Sequence, residues 1–312
     1  MDKGECVFSV INEDHKLFLS FYTQNRNYMN IGLVLSGGMA KGAYQVGALK
    51  ALNSFIPLSE IKYISGASVG VLNGYAYAAE RLFDAEEMWK NICIEYDSQC
   101  SISQVLKSSA LQNSILDSCD LKKRLSSIFY CSLFDYSGRS IIYKDISSVD
   151  PELIPQYLRA SVSLPIYNRS VKLDDVAYFD GAMVDNIPVY PLVKHDPDYI
   201  ICIYFDDKCY KFENPSFDKK IIKITFPSDS MFKQSVIFKK ESIENMLKVG
   251  YDTASELLAP IFSRGYDNLE HIYSSIQNIS NSRADACLRI TGDVIVTNLN
   301  KITQRFSKRK VL

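Results

Sequence analysis

Ile61-Lys62-Tyr63-Ile64-Ser65-Gly66-Ala67-Ser68-Val69-Gly70-Val71-Leu72 carries three structural instructions in one run. Ile61–Ile64 is a short apolar strand, Ser65-Gly66 is a turn signal, and Val69, Leu72, Ala76 and Ala79 recur at helical spacing. Between strand and helix lies Gly66-Ala67-Ser68-Val69-Gly70, a G-x-S-x-G pentapeptide. So tight a turn forces its central residue into a strained conformation, and the flanking glycines leave room for neighbouring backbone. The Ser68 hydroxyl is then expected at a helix N-terminus, where unpaired N–H groups and the helix dipole favour a developing negative charge. The same five residues also suit a small turn that merely packs a helix against its strand. The surroundings must decide.

Upstream, Ile31–Leu35 is a second apolar strand, and it ends in Ser36-Gly37-Gly38-Met39-Ala40-Lys41-Gly42. Ala43, Val46, Leu49 and Leu52 then mark one face of a helix. Two successive strand–turn–helix units imply a parallel sheet wrapped by helices. A glycine loop that opens a helix presents N–H groups to an anion: a phosphate, a dinucleotide or an oxyanion. Spacing argues against the first two. Lys41 is followed by Gly42-Ala43 rather than by the Ser or Thr of a P-loop, and neither Gly37 nor Gly38 has glycines at both offsets of the dinucleotide fingerprint. An oxyanion loop fits better, because two adjacent strand ends place both turns on one edge of the sheet.

Leu33–Gly42 resembles the glycine-loop signature of the patatin-like phospholipase family, in its bacterial type. Gly66–Gly70 matches that family's G-x-S-x-G, and Asp180-Gly181-Ala182 matches its D-G-[AG] with the catalytic aspartate. Ala160-Ser161 with Pro165, and Asn186-Ile187-Pro188, resemble the family's flanking pattern; Glu241–Thr253 is similar to a helix late in bacterial members. The resemblance runs in order from Asn30 to Thr253.

It implies an α/β, three-layer fold with a mostly parallel central sheet flanked by helices, and a helical C-terminal extension. The chain would divide into an N-terminal extension (1–29), a catalytic domain (30–262) and a C-terminal extension (263–312). The implied activity is that of a serine carboxylic-ester hydrolase acting on lipid, of phospholipase A or lysophospholipase type. Ser68 would be the nucleophile and Asp180 its only catalytic partner, with no metal and no cofactor. The Gly37, Gly38 and Met39 amides would form the oxyanion hole. Lys41 and Gly42 would orient the loop or meet a head group, and Gly66, Gly70 and Gly181 would support the turn and the dyad. Two alternatives stay open: a lipid acyltransferase on the same dyad, and an inactive lipid-binding regulatory protein. Met39 departs from the family, which usually has a third glycine there. A side chain does not easily take positive φ, so either the Met39 backbone lies in an ordinary region or the amide geometry differs. Its thioether is a candidate wall for the acyl groove.

Three histidines are present, His15, His195 and His271. Ser68, Asp180 and His195 follow the chain order of α/β-hydrolase triads. His195 nonetheless enters the strand at Tyr199 from its N-terminal end, which puts it on the edge opposite the nucleophile. His15 precedes the first strand and His271 lies beyond the resemblance, so a Ser–Asp dyad is expected.

The 312 residues are 47% hydrophobic and 23% charged with a formal net charge of −1, enough for a sizeable core and unlike the basic excess of a nucleic-acid binder. Eight scattered cysteines without C-x-x-C spacing suggest free buried thiols in a reducing compartment. Met1–Met29 has no apolar signal core, and no run approaches the ~20 apolar residues of a membrane span. The expectation is a cytoplasmic protein that visits a membrane surface peripherally to reach a phospholipid or other fatty-acyl ester, with oligomerisation open. Arg81–Lys123 reads as amphipathic helix, and Tyr199–Phe205 and Ile221–Phe226 as buried strands separated by a charged, exposed Asp206–Lys220 loop. Ile128–Phe134 reads either as a buried strand or as a membrane-touching lid. A long helix is expected over Gln234–Ile261 and a β-like run at Asp293–Thr297. The basic end, with Lys301, Arg305, Lys308, Arg309 and Lys310, would attract anionic lipid at ~1 kcal/mol per cation.

Overall fold

The computed structural model describes residues 29–92, 96, 99–117, 125–165, 167, 169–206, 209–212, 215–226, 237–288 and 308–311. Strand β1 (Ile31–Leu35) leads through the glycine loop into helix α1 (Gly42–Leu52), and β2 (Ile61–Gly66) leads through the Ser68 turn into α2 (Val69–Ala78). Then come α3 (Leu82–Asn91), the short β3 (Gln99–Ser101), α4 (Ser109–Asp117), and the hairpin of β4 (Ile128–Asp135) and β5 (Ser140–Asp145). Helix α5 (Ile154–Ser161) precedes a second hairpin, β6 (Val171–Leu173) and β7 (Val176–Asp180). The chain continues through β8 (Tyr199–Phe205), β9 (Cys209–Phe212), β10 (Ile221–Phe226) and β11 (Ile237–Lys239). It closes with α6 (Lys240–Ile261), α7 (Leu269–Arg283), β12 (Ala284–Leu288) and β13 (Lys308–Val311).

The main sheet has the order β10-β8-β1-β2-β4-β5-β13, with β7 also on β4 and β6 on β7. From β10 to β4 the strands run parallel, while β5 and β7 meet β4 antiparallel. Every residue of β1 and β8 is buried, as a parallel strand covered on both faces requires. Alternation along them defines the layers. Leu33, Leu35, Ile201 and Ile203 join one core, whereas Val34, Ile200, Cys202 and Tyr204 join the core on the opposite face. The expected α/β three-layer architecture is therefore present. Among the described residues no helix is long and apolar enough to cross a membrane.

Several local expectations are corrected. Ile128–Phe134 is the central strand β4, hydrogen-bonded to β2, β5 and β7, so it is no lid. The Arg81–Lys123 stretch is broken into α3, β3 and α4, and Cys100 in β3 is disulfide-bonded. Asp206–Lys220 is not simply exposed: Tyr210, Phe212 and Phe217 are buried, and Asp218 is neutralised by an ion pair with the buried Lys223 at 2.5 Å. The long helix begins at Lys240 rather than Gln234, and α7 supplies the helix expected of the C-terminal extension. Asp293–Thr297, Lys301, Arg305 and His15 lie outside the described residues, while Lys308, Arg309 and Lys310 belong to β13 beside β5.

Candidate active site

Leu35 at the end of β1 is paired with Gly66 at the end of β2, so both loops leave the sheet on one edge. Ser68 has φ 54° and ψ −131°, a conformation a side chain adopts only under constraint. The constraint is visible: Ala67 N–H donates to Leu35 O at 3.0 Å, and Val71 N–H to Ser68 O at 2.9 Å. A Cβ on Gly70 would lie 2.4 Å from Leu35 O and 2.7 Å from Ser36 O, so only glycine lets α2 seat against the end of β1. Gly66 faces the Gly70 carbonyl across the same turn. Ser68 is 9% exposed and stands at the N-terminus of α2.

Asp180 ends β7. The register Leu133↔Asp180 on β4, with Cys131↔Gly66 joining β4 to β2, carries its carboxylate across to the Ser68 turn. Gly181 fits against the Ser132 backbone of β4. Asp180 is 1% exposed, and its Oδ1 accepts the Ala182 N–H at 2.8 Å. Burial pushes its pKa from the ordinary 3.8 up to about 7, against hydrogen bonding from the Ser68 side chain and the Ala182 amide. Its Oδ2 is buried with no partner at full hydrogen-bond geometry. The Ser68 side chain is therefore near the carboxylate without completing a hydrogen bond to it. The nearby Cys131 thiol is pushed well up by burial and by the Asp180 charge, which keeps it un-ionised and unreactive.

A Cβ on Gly37 would lie 2.8 Å from the Ser68 Cβ, so the first loop glycine abuts Ser68. Gly38 sits against the Phe205 ring and Gly42 against the Trp89 ring. Met39 takes φ 51°, so the left-handed backbone is kept although the glycine is not, at a strain of about 1 kcal/mol. Met39 lines a narrow apolar cleft beside Ser68, with Leu72, Met88, Trp89 and Phe238 among its walls. Lys41 is 5% exposed, a position suited to holding the loop rather than reaching a head group.

Sequence reasoning missed what fixes this loop. Gln45 Nε2 donates to Ser36 O at 2.7 Å, and Asn73 Nδ2 donates to Gly42 O at 2.9 Å and to Gln45 Oε1 at 3.0 Å. Trp89 Nε1 in turn donates to Asn73 Oδ1 at 2.9 Å. Both ends of Ser36–Gly42 are thus tied to buried amides on α1 and α2.

No histidine joins Ser68 and Asp180 among the described residues. His195 lies at the N-terminal end of β8, with Nε2 2.8 Å from the Tyr130 hydroxyl and its ring stacked on Tyr63 at 4.1 Å. Its pKa is lowered by burial and by Lys194. His271 is on α7, against Ser263 and Pro260 O. Among the described residues, no group of three His, Cys, Asp or Glu side chains gathers as a metal would require.

The family model described as patatin-like phospholipase matches residues 33–193, a span that includes the glycine loop, Ser68 and Asp180. Two solved structures are similar. VipD from Legionella pneumophila is 11% identical over 81% of this chain and 75% of its own, with TM-score 0.45. The type III effector protein ExoU is 15% identical over 80% of this chain, with TM-score 0.37; the chain spans 54% of its length. No curated protein matches significantly.

Proposed function

On the premise that the chain belongs to the patatin-like phospholipase family, we propose that it cleaves a fatty-acyl ester of a phospholipid through a Ser68–Asp180 dyad. Asp180 accepts the Ser68 proton as Oγ attacks the ester carbonyl. The Gly37, Gly38 and Met39 amides, with the N-terminus of α2, receive the tetrahedral oxyanion. Protonated Asp180 then gives its proton to the leaving alcohol. A water deprotonated by the same carboxylate attacks the acyl-Ser68 ester and releases the fatty acid. The acyl chain occupies the apolar cleft beside Met39.

The observation that carries this reading is the buried Asp180 carboxylate beside the Ser68 turn, one oxygen unpartnered and its pKa raised by burial to about 7. A base with a pKa near neutrality combines a useful ionised fraction with appreciable basicity. The oxyanion loop supplies much of the remaining rate, since one such donor is typically worth ~10²–10³ in kcat. The test is incubation of the full chain with phosphatidylcholine vesicles, reading released fatty acid and lysolipid. Wild type is expected to release both, and Ser68→Ala and Asp180→Ala neither. Equal release by Ser68→Ala overturns the reading.

A further inference from the structure

We propose that Asn186 is a third oxygen-binding group of this site: a side-chain amide that donates a hydrogen bond to the leaving oxygen of the ester. The inference rests on the hydrolase reading above and adds a residue to it. Its first support is position. The point where a Gly37 Cβ would sit is 2.6 Å from Asn186 Oδ1, 2.8 Å from Ser68 Cβ and 3.0 Å from Ala182 Cβ. The carboxamide, the nucleophile and the turn after Asp180 therefore converge on one small volume.

The second support is an unused donor. Asn186 is half-buried, yet its side chain makes no hydrogen bond among the described residues. With Oδ1 turned to the Gly37 Cα–H, a contact a carbonyl oxygen tolerates well, both Nδ2 hydrogens remain for a ligand. The backbone amides of the glycine loop already face the oxyanion. Asn186 instead belongs to the Asp180 turn, the side from which the leaving alcohol takes its proton.

The third support is rigidity. Val184 and Asp185 N–H groups both donate to Gly181 O at 2.9 Å, and Val189 N–H donates to Ile187 O at 2.7 Å. The Tyr143 hydroxyl donates to the buried Asp185 carboxylate immediately before Asn186. A donor held this way costs little reorganisation when charge develops.

The experiment compares Asn186→Ala and the isosteric Asn186→Asp with wild type on two esters of one fatty acid. One is a p-nitrophenyl ester, whose leaving group needs no help, and the other an alkyl-alcohol glycerol ester. The proposal expects Asn186→Ala to lose about 10²-fold in kcat on the glycerol ester, with KM nearly unchanged. On the p-nitrophenyl ester the loss should be a few-fold at most. Asn186→Asp is expected to show the same split, and to move the ascending limb of the pH profile upward by adding a carboxylate beside Asp180. It serves as the test if Asn186→Ala melts early. Equal losses on both esters, or no loss on either, overturn the proposal. A wild type inactive on both sinks the hydrolase reading itself, and this inference with it.

Discussion

The Trp89 indole N–H donates to Asn73 Oδ1 at 2.9 Å, and this bond sets the amide orientation on which the glycine loop depends. With Oδ1 taken by the indole, Asn73 Nδ2 is directed to Gly42 O and Gln45 Oε1. Gln45 in turn is left with Nε2 aimed at Ser36 O. The helix that follows Ser68 thereby holds the loop proposed to receive the oxyanion.

Asn73→Ala strands the Trp89 N–H and Gln45 Oε1 in a buried setting, at about 1–3 kcal/mol for each orphan. The variant is expected to lose about 2–4 kcal/mol in urea unfolding. Its kcat should fall further than the kcat of an exposed control substitution on α3. Wild-type stability and turnover in Asn73→Ala would contradict the clamp.

The raised pKa of Asp180 predicts two pH dependences. As a base it must be ionised, so kcat/KM should rise with pH and level off above about 7. Stability runs the other way. Between the ordinary 3.8 and about 7, folded Asp180 keeps a proton that the unfolded chain has released. The stabilisation is complete below the lower value and lost as pH rises through the upper one, on the order of 4 kcal/mol at most. Asp180→Asn removes the buried charge. It should be inactive and more stable than wild type at pH 8, with less than half of that gap remaining at pH 5. A gap of the same size at both pH values would argue against the shift.

Much of this arrangement was legible in the sequence because its chemistry sits in contiguous motifs. The pattern Gly66–Gly70 between an apolar strand and a helical repeat fixes where Ser68 stands, and Asp180-Gly181 closes a strand end. Both outcomes depend on local backbone rules. Gln45, Asn73 and Trp89 were not legible, because their bonds exist only once α1, α2 and α3 are packed. The C-terminal extension was expected to be helical, but the bounds of α7 were not legible because its run of Ser and Asn has low helix propensity; Ile272 and Ile276 bury one face at the proper spacing. Asp206–Lys220 misled through its charges. Asp218 also accepts the Phe212 N–H at 2.8 Å, so a carboxylate that looked solvated is structural. Met39 ran counter to its residue preference: the φ of 51° follows from the loop geometry and overrides it.

Met39→Gly tests that last point. Relief of backbone strain is offset by the greater freedom of glycine in the unfolded chain, so stability should change by less than ~1 kcal/mol. The apolar wall that Met39 gives the cleft is lost, however. The ratio of kcat/KM for a long-chain to a short-chain p-nitrophenyl ester should change by about tenfold, the worth of one methylene in an apolar pocket. An unchanged ratio would remove Met39 from the acyl site.

The central claim, that the residue 68 hydroxyl is the nucleophile and one carboxylate activates it, is tested most directly by covalent labelling. The full chain is treated with a fluorophosphonate, digested, and the modified peptide located by mass spectrometry while the rate of adduct formation is followed. The account predicts a single adduct on Ser68, absent in Ser68→Ala, and slowed at least 10²-fold in Asp180→Asn. An adduct on another residue, or Asp180→Asn labelling as fast as wild type, would contradict it.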